Sequence, residues 1–566
     1  MNNIIQKSAL FAGAIMLTAC VTTEEESNKH HAHKPETDAV ELKEIVATAE
    51  YEKQKIRVTG ARLKQRANTP MLAMAASPGA LHHPYIMHNQ DIAGENYAQH
   101  ELNAVFSVLE TPVSTFSIDV DTGSYSNLRR ILQQGDLPPK GAVRTEELLN
   151  YFSYDYQAPS DLEQPFLVNS SMMIAPWDSD KHLLQIGIKA WEPEKQTQRP
   201  SANLVFLVDV SGSMAAPDKL PLLKKSLLML SKQMRTEDKI SIVVYAGASG
   251  VVLEPTSGNN YLAIEQALSK LRSGGSTNGE AGIKLAYQMA EKAFIQDGIN
   301  RIMIATDGDF NVGQTSLESL ISLIELKREK GIALSTLGFG RGNYNDQMME
   351  QLANKGNGSY SYIDNLLEAR KVLVEELDSQ LITVAADVKL QLEFNPQYVA
   401  EYRLVGYENR VLNREDFNND KVDAGEIGAG HTVTAIYEIS LNDSKSRSLE
   451  PLRYQKADQA HQNFSDELAF MRIRYKQPGE KTSQLIEQPL DHNTLLNSAN
   501  QPNIDSQFSA AIIALADQLQ GGKYIQNFSY NDIANLALKG RGKDERGIRA
   551  EFARLVRLAE ALKLGS

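Results

Sequence analysis

The feature that most constrains the fold is a regular alternation of apolar and amphipathic runs between residues 201 and 380. The apolar runs are continuous, as expected for parallel strands that helices cover on both faces. They cover residues 204–209, 239–246, 301–307 and 332–340. The amphipathic runs are typical of helices and cover residues 220–234, 260–271, 279–294 and 316–330. The alternation predicts an α/β fold with a doubly wound, mostly parallel sheet.

Small oxygen-bearing side chains follow two of these predicted strands. The run LVFLVDVSGSM, residues 204–214, ends with Asp209, Ser211 and Ser213 at alternate positions, and Asp307 ends a later strand. Thr277 lies in the loop GGSTNGE between two predicted helices. Ligands of such sheets bind outside the carboxyl ends of the strands, and Mg²⁺ prefers oxygen ligands. We therefore expect these five residues to meet at one edge of the sheet and to bind a divalent cation.

The same five residues carry a resemblance to the von Willebrand factor type A domain. Its metal-ion-dependent adhesion site has the pattern D-x-S-x-S, then T, then D, which this chain matches without departure. The resemblance implies Mg²⁺, or alternatively Mn²⁺, with Ser211, Ser213 and often Thr277 in direct contact. Asp209 and Asp307 would act largely through water. An open metal position would attract a Glu or Asp of a protein partner, which implies adhesion and no enzymatic activity.

The N-terminus is predicted to be a signal peptide over residues 1–19. Lys7 precedes an uncharged apolar run, which is too short to span a bilayer. The run ends Leu-Thr-Ala-Cys, and Cys20 is the only cysteine of the chain. This segment resembles a bacterial lipobox, which implies cleavage before Cys20 and acylation of its thiol. Val21 follows in place of Asp, which by resemblance to enterobacterial lipoproteins implies an anchor in the outer membrane, and we expect the protein to face the periplasm.

Three further segments flank the alternating region. Residues 20–104 are polar, include a histidine cluster at 30–33, and are predicted to form a flexible tether. Residues 105–200 predict a small α/β or α+β accessory domain. Residues 381–566 predict a separate C-terminal domain, because half-exposed alternating strands come first and helices follow.

A second resemblance covers nearly the whole chain after residue 105. Its segments include STFSIDVDTGSYSNLRRILQQGDLPP, RTEELLNYFSYDY, FNPQYVAEYRLVGYENR and VDAGEIGAGHTVTAIYE. They are similar to the YfbK-type von Willebrand A lipoproteins of Gram-negative bacteria. The resemblance implies an N-terminal accessory region, a central A domain over 201–380 and a C-terminal domain.

Composition excludes one class of partner. A formal net charge of −13 and the lack of a basic stripe disfavour nucleic acid, because phosphate contacts need clustered Lys and Arg. A hydrophobic fraction of 42% and a charged fraction of 23% are typical of a folded protein. An assembly scaffold that does not use the metal remains an alternative to metal-dependent binding.

Three other patterns suggest rival sites. Asp119 and Asp121 in FSIDVDTGS resemble the D-x-D of haloacid-dehalogenase-like phosphatases, but Gly123 departs from that pattern. Bonding to loop amides is the simpler interpretation of the two carboxylates. A hydrolase using Ser211 lacks a G-x-S-x-G elbow. Residues 416–426 resemble a calcium loop, yet Lys421 replaces its turn glycine, which favours a solvated acidic turn, with a weaker Ca²⁺ site as the alternative.

Overall fold

A computed structural model describes residues 94–193, 199–308, 317–450, 452–453, 466–525 and 527–565. The predicted signal peptide, Cys20, the histidine cluster and most of the predicted tether lie outside these residues. No helix of the described part is long and apolar enough to cross a membrane.

The strands of the described residues are short to medium in length, and we number them in chain order. They are β1 Phe106–Ser107, β2 Val113–Ser117, β3 Phe166–Ala175, β4 Asp178–Ala190, β5 Ala202–Asp209, β6 Lys239–Tyr245, β7 Ser249–Ser257, β8 Ile299–Thr306, β9 Ala333–Phe339, β10 Tyr360–Ile363, β11 Thr383–Phe394, β12 Val399–Val405, β13 Gly425–Gly428, β14 Thr432–Leu441, β15 Glu467–Lys476 and β16 Gln484–Asp491.

The helices fall between and after these strands. They are α1 Gly123–Gln133, α2 Thr145–Asn150, α3 Leu220–Ser231, α4 Tyr261–Lys270, α5 Gly279–Lys292, α6 Leu317–Arg328, α7 Asp346–Lys355, α8 Leu366–Arg370, α9 Leu377–Leu381, α10 His492–Ala499, α11 Ile504–Gln520, α12 Tyr530–Lys539 and α13 Ile548–Gly565.

The alternating region forms a six-stranded sheet in the order β10-β9-β8-β5-β6-β7. All neighbouring pairs are parallel except β6 and β7, which are antiparallel. One apolar cluster packs α3 and α4 on one face, and a second packs α5 and α6 on the other. The predicted doubly wound α/β sheet is therefore confirmed. Its strands are continuously apolar because helices cover both faces, so the side chains on each face are buried.

Two further sheets form a β-sandwich from strands on both sides of the alternating region. One has the order β1-β12-β14-β4-β3, and the other joins β13, β11, β15 and β16, with β2 also pairing β11. A single apolar cluster fills the space between them, and its members include Phe116, Ile186, Leu390 and Tyr437. The six-stranded domain is therefore inserted in the chain between β4 and β11 of the sandwich.

This pairing differs from the expected separation of residues 105–200 and 381–566 into two domains. Strand β4 pairs with β14 along eight residues, from Lys189 opposite Thr432 to His182 opposite Ile439. A strand with one apolar face can pair with any strand of matching pattern, so its partner is not visible in its own sequence. The two segments share both sheets.

The tether predicted to extend to residue 104 ends earlier. Glu95 forms an ion pair of 2.7 Å with Arg130 of α1, and the Tyr97 hydroxyl accepts a hydrogen bond from Asn127. The Asn103 side chain donates to the carbonyl of Gly406 over 2.7 Å. Residues 95–103 thus pack on the sandwich and its helices.

Candidate functional site

The site begins where the sheet reverses its direction of winding. Strand β5 has β6 on one side and β8 on the other, so the carboxyl ends of β5 and β8 form the switch point of the sheet. Asp209 ends β5 and is 0% exposed. Its Oδ2 accepts a hydrogen bond of 2.9 Å from Oγ1 of Thr306, the last residue of β8. Asp307 follows directly, so the two acidic residues lie on neighbouring strands.

The loop after Asp209 turns sharply and brings two hydroxyls together. Oδ1 of Asp209 accepts a hydrogen bond of 2.8 Å from the amide of Ser211, which is the local bond that Asp uses to stabilise a turn. A single 3₁₀ turn, Gly212–Ala215, follows. The Oγ atoms of Ser211 and Ser213 lie 3.0 Å apart. Two hydroxyls and one buried carboxylate therefore converge, as the D-x-S-x-S spacing predicts.

The loop that carries Thr277 is bonded to this turn. The amide of Gly274 donates to the Val210 carbonyl over 2.8 Å, and the amide of Gly212 donates to the Gly275 carbonyl over 3.1 Å. Gly275 has φ of +87°, a conformation that favours glycine and lets the backbone approach closely. Thr277 is half-buried and lies two residues before α5.

The electrostatics of the site include one residue that the sequence analysis missed. Burial raises the pKa of Asp209 to about 6, the Ser211 hydrogen bonds oppose that shift, and the charge of Asp307 adds to it. Lys219 lies 2.8 Å from Oδ2 of Asp307 and is only 5% exposed. The one sequence signal for Lys219 is its position directly before an apolar helix, where a buried cation is unusual.

These donors fit a hard divalent cation. The five predicted residues offer three hydroxyls and the carboxylates of Asp209 and Asp307, all of them oxygen donors, with no thiol or imidazole among them. Mg²⁺ binds few protein ligands and keeps several waters, which suits this set. Asp209, Ser211, Ser213, Thr277 and Asp307 would hold the ion, whose charge would offset the buried carboxylates.

The rival acidic pair lies elsewhere, between β2 and α1. Oδ1 of Asp119 accepts from the amide of Asp121 over 3.0 Å, which is the loop-amide bond expected from the sequence. Arg410 lies 3.1 Å from Asp119 and 3.3 Å from Asp121. A nucleophilic Asp119 would have to attack while paired with this guanidinium, which disfavours a phosphatase.

The predicted acidic turn over residues 416–426 is engaged by protein groups. Oδ1 of Asp420 accepts a hydrogen bond of 2.5 Å from the hydroxyl of Ser483, and Oδ2 of Asp416 accepts from Asn413. Hydrogen bonds to Ser483 lower the pKa of Asp420. These contacts give the carboxylates of Asp416 and Asp420 protein partners.

Comparison with known families agrees with the geometry of the site. Residues 203–376 match the model of the von Willebrand factor type A domain, so the inserted sheet, hereafter the A domain, is of this class. A domains form a general adhesion or protein-interaction fold. Residues 379–562 match the model described as "Uncharacterized protein YfbK, C-terminal", and residues 91–185 match a model described as "von Willebrand factor".

The full-length relatives extend this result. The chain is 46% identical to the uncharacterized protein YfbK of Escherichia coli (strain K12) over 500 residues, which cover 87% of this chain and 85% of that protein. The chain therefore belongs to the YfbK family.

More distant relatives share part of the chain. Human inter-alpha-trypsin inhibitor heavy chain H3 is 24% identical over 54% of this chain and 38% of its own length. A solved structure, a von Willebrand factor type A protein from Catenulispora acidiphila, is 14% identical and covers 70% of this chain and 91% of its own, with a TM-score of 0.38.

Proposed function

We propose that this protein is a lipid-anchored binding protein that captures an acidic group of a protein partner through a Mg²⁺ ion. The anchor is Cys20, and the location is the outer membrane facing the periplasm, as the lipobox resemblance implies. The metal ligands are Asp209, Ser211, Ser213, Thr277 and Asp307. The observation that carries the proposal is the 3.0 Å approach of the Ser211 and Ser213 hydroxyls beside two buried carboxylates at the switch point.

The charge of the site supports an anionic partner. Asp209 and Asp307 supply two negative charges, and Lys219 supplies one positive charge at 2.8 Å from Asp307. A bound divalent cation would leave the site with one net positive charge. Because that charge lies at the edge of a low-dielectric domain, a carboxylate from a partner would complete both the coordination and the charge balance. We propose binding through this charge and no catalysis.

A metal-independent scaffold is the second candidate, and one contact favours it. Lys219 already supplies Asp307 with a cation, so the A domain could hold its shape without a metal. In that case the sandwich would carry partner binding, and removal of divalent cations would leave it unchanged.

A crosslinking pull-down from envelope extract separates the two candidates. The full chain would be compared in Mg²⁺, in EDTA, and as the Ser213→Ala variant, with recovered proteins identified by mass spectrometry. Ser269→Ala is a matched control, because Ser269 is an exposed serine of α4 whose hydroxyl donates to a carbonyl of its own helix.

Metal-dependent capture predicts one result. A partner should be recovered by the wild-type chain and by Ser269→Ala in Mg²⁺, and lost in EDTA and with Ser213→Ala. Recovery that is equal under all conditions would contradict a role for the metal and support the scaffold. A direct titration with Mg²⁺ and with Mn²⁺ would determine which ion binds more tightly.

A further inference from the structure

Three buried carboxylates form a second cluster, made of residues other than the five predicted ligands. Asp119 and Asp121 lie in the loop between β2 and α1, and Glu147 lies on α2. One carboxylate oxygen from each lies within 4.8 Å of the others. All three residues are at most 2% exposed. We call these three residues the junction cluster, because they lie where the sandwich meets the A domain.

The surroundings of the junction cluster do not neutralise it. Buried Asp346 and Glu350 of α7 bring the number of carboxylates to five, against the two guanidiniums of Arg144 and Arg410. Arg144 pairs with both Glu147 and Asp346, and Arg410 pairs with both aspartates of the cluster. In this ion-pair network five carboxylates face two guanidiniums, and buried Glu146 is a further carboxylate that interacts with Asp119 and Glu147. Such an excess is unfavourable in a buried site unless protons or a cation offset it.

One oxygen of the cluster has no partner. Oδ2 of Asp119 is buried and makes no hydrogen bond with any described residue. Arg410 and the amide of Asp121 both contact the other oxygen, Oδ1, so they leave Oδ2 free. Buried carboxylate oxygens without a protein partner are rare, and a bound ion is one way in which proteins satisfy them.

A cavity adjoins the loop that carries the two aspartates. Asp119 and Asp121 line a cavity of about 480 Å³, which is large enough for an ion and several waters. Asn409 lines the same cavity, and its buried Oδ1 also has no hydrogen-bond partner among the described residues. Two residues of the cavity lining, one charged and one neutral, thus each have a buried oxygen without a hydrogen-bond partner among the described residues.

We propose that Asp119, Asp121 and Glu147 bind a divalent cation, Ca²⁺ in preference to Mg²⁺, with Oδ2 of Asp119 as a direct ligand. Ca²⁺ takes six to eight oxygen ligands in irregular geometry, whereas Mg²⁺ demands a near-octahedral set. Carboxylates in fixed ion pairs, with water from the cavity, suit the less demanding ion. Oδ1 of Asp121 accepts from the amide of Tyr360 in β10 over 2.7 Å, so the ion would fasten the sandwich to the A domain.

The test measures bound Ca²⁺ in the full chain after removal of metals with EDTA. Equilibrium dialysis with elemental analysis gives the stoichiometry for the wild-type chain, Ser213→Ala and Asp119→Asn. Asp161→Asn is the control, because Asp161 is exposed in a loop of the same region. We expect Ser213→Ala and Asp161→Asn to retain the junction ion and Asp119→Asn to lose one equivalent. Equal Ca²⁺ binding by Asp119→Asn and wild type would overturn the proposal.

A second measurement does not depend on the folding of Asp119→Asn. Because a ligand that binds only the folded state raises Tm, Ca²⁺ should raise the Tm of Ser213→Ala in a saturable way. No bound Ca²⁺ and no Tm shift in this variant would also overturn the proposal. Failure of the A-domain metal site would appear separately, as equal Mg²⁺ binding by wild type and Ser213→Ala.

Discussion

The Nζ atom of Lys219 lies 2.8 Å from Oδ2 of Asp307, inside the site predicted to bind a metal. The lysine is 5% exposed and the aspartate 0%, so water screens this ion pair weakly. The fold thus places a permanent positive charge beside a carboxylate that a divalent cation would also use.

Lys219→Met is expected to strengthen Mg²⁺ binding. The substitution keeps an unbranched apolar chain and removes a charge that repels the ion. Two like charges 4 Å apart repel by about 4 kcal/mol at an effective dielectric constant of 20. Allowing for partial screening, we expect the Kd for Mg²⁺ to fall about tenfold, which corresponds to about 1.4 kcal/mol.

Isothermal titration calorimetry of the full chain would check this expectation. Lys225→Met is the control, because Lys225 lies on the same helix, α3, and its side chain is outside the site. A weaker affinity for Mg²⁺ in Lys219→Met would instead mean that the lysine positions Asp307 for the ion.

Gly340→Ala is expected to destabilise the A domain through Lys219. Gly340 has φ of +70°, and an added Cβ would overlap the Cγ and Cε atoms of the lysine. The strained backbone alone contributes about 1–2 kcal/mol, and the overlap adds to it. In the wild-type background, Gly340→Ala should therefore lower the free energy of unfolding in urea by more than this backbone contribution. In a Lys219→Ala background, the decrease in the free energy of unfolding should shrink to the backbone contribution. An unchanged decrease would exclude the overlap with Lys219 as its cause.

Arg129→Met is expected to destabilise the whole protein. Arg129 of α1 donates to Asp364 over 2.8 Å, to Glu368 over 2.8 Å and to the Tyr151 hydroxyl over 3.0 Å. Removing the guanidinium leaves two buried carboxylates without their cation, and such changes cost about 3–5 kcal/mol. The measurement is the free energy of unfolding in urea.

Arg370→Met is the control for that prediction. Arg370 is exposed and pairs with Glu375 over 3.1 Å. Exposed pairs contribute about 0–1 kcal/mol, so this variant should be close to wild type. Similar decreases in the free energy of unfolding for Arg129→Met and Arg370→Met would contradict the expectation that the buried ion pairs contribute more than the exposed one.

His431 is expected to make stability depend on pH in acid. Burial, and then Lys189, Lys371 and Arg301, lower its pKa from 6.5 to about 3. The unfolded chain therefore binds more protons between these values, so the free energy of unfolding falls as the pH drops from about 6.5 towards 3. Protonation would also remove the acceptor at Nδ1, which the amide of Gly428 contacts over 3.1 Å.

Comparison with His431→Asn isolates this contribution. Asparagine can accept the same amide hydrogen bond but does not titrate. The stability advantage of wild type over the variant should shrink as the pH falls from 6.5 to 4. The comparison is needed because Glu426, with a pKa raised to about 7, shifts stability in the opposite direction over an overlapping range. Parallel pH profiles of the two proteins would contradict the assignment.

The sequence by itself determined the A domain and the turn at its site. Short, continuous apolar runs indicate strands that are buried on both faces. The observed bounds of β5, β6, β8 and β9 lie within about two residues of those expected from the runs. Asp209, Ser211 and Ser213 form a local turn, and its geometry depends on bonds between near neighbours. Short-range interactions of this kind are encoded in the residues that make them.

Only the tertiary structure decided how distant segments meet. Strand β4 pairs with β14, Lys219 reaches Asp307, and Glu147 joins Asp119 and Asp121. A strand with alternating apolar residues has the same sequence pattern whichever strand it pairs with. A buried ion pair between distant residues leaves no periodic pattern in the sequence that would reveal it. These contacts bring together groups that are far apart in the chain, so they depend on the folded topology and on the total charge that each buried site can hold.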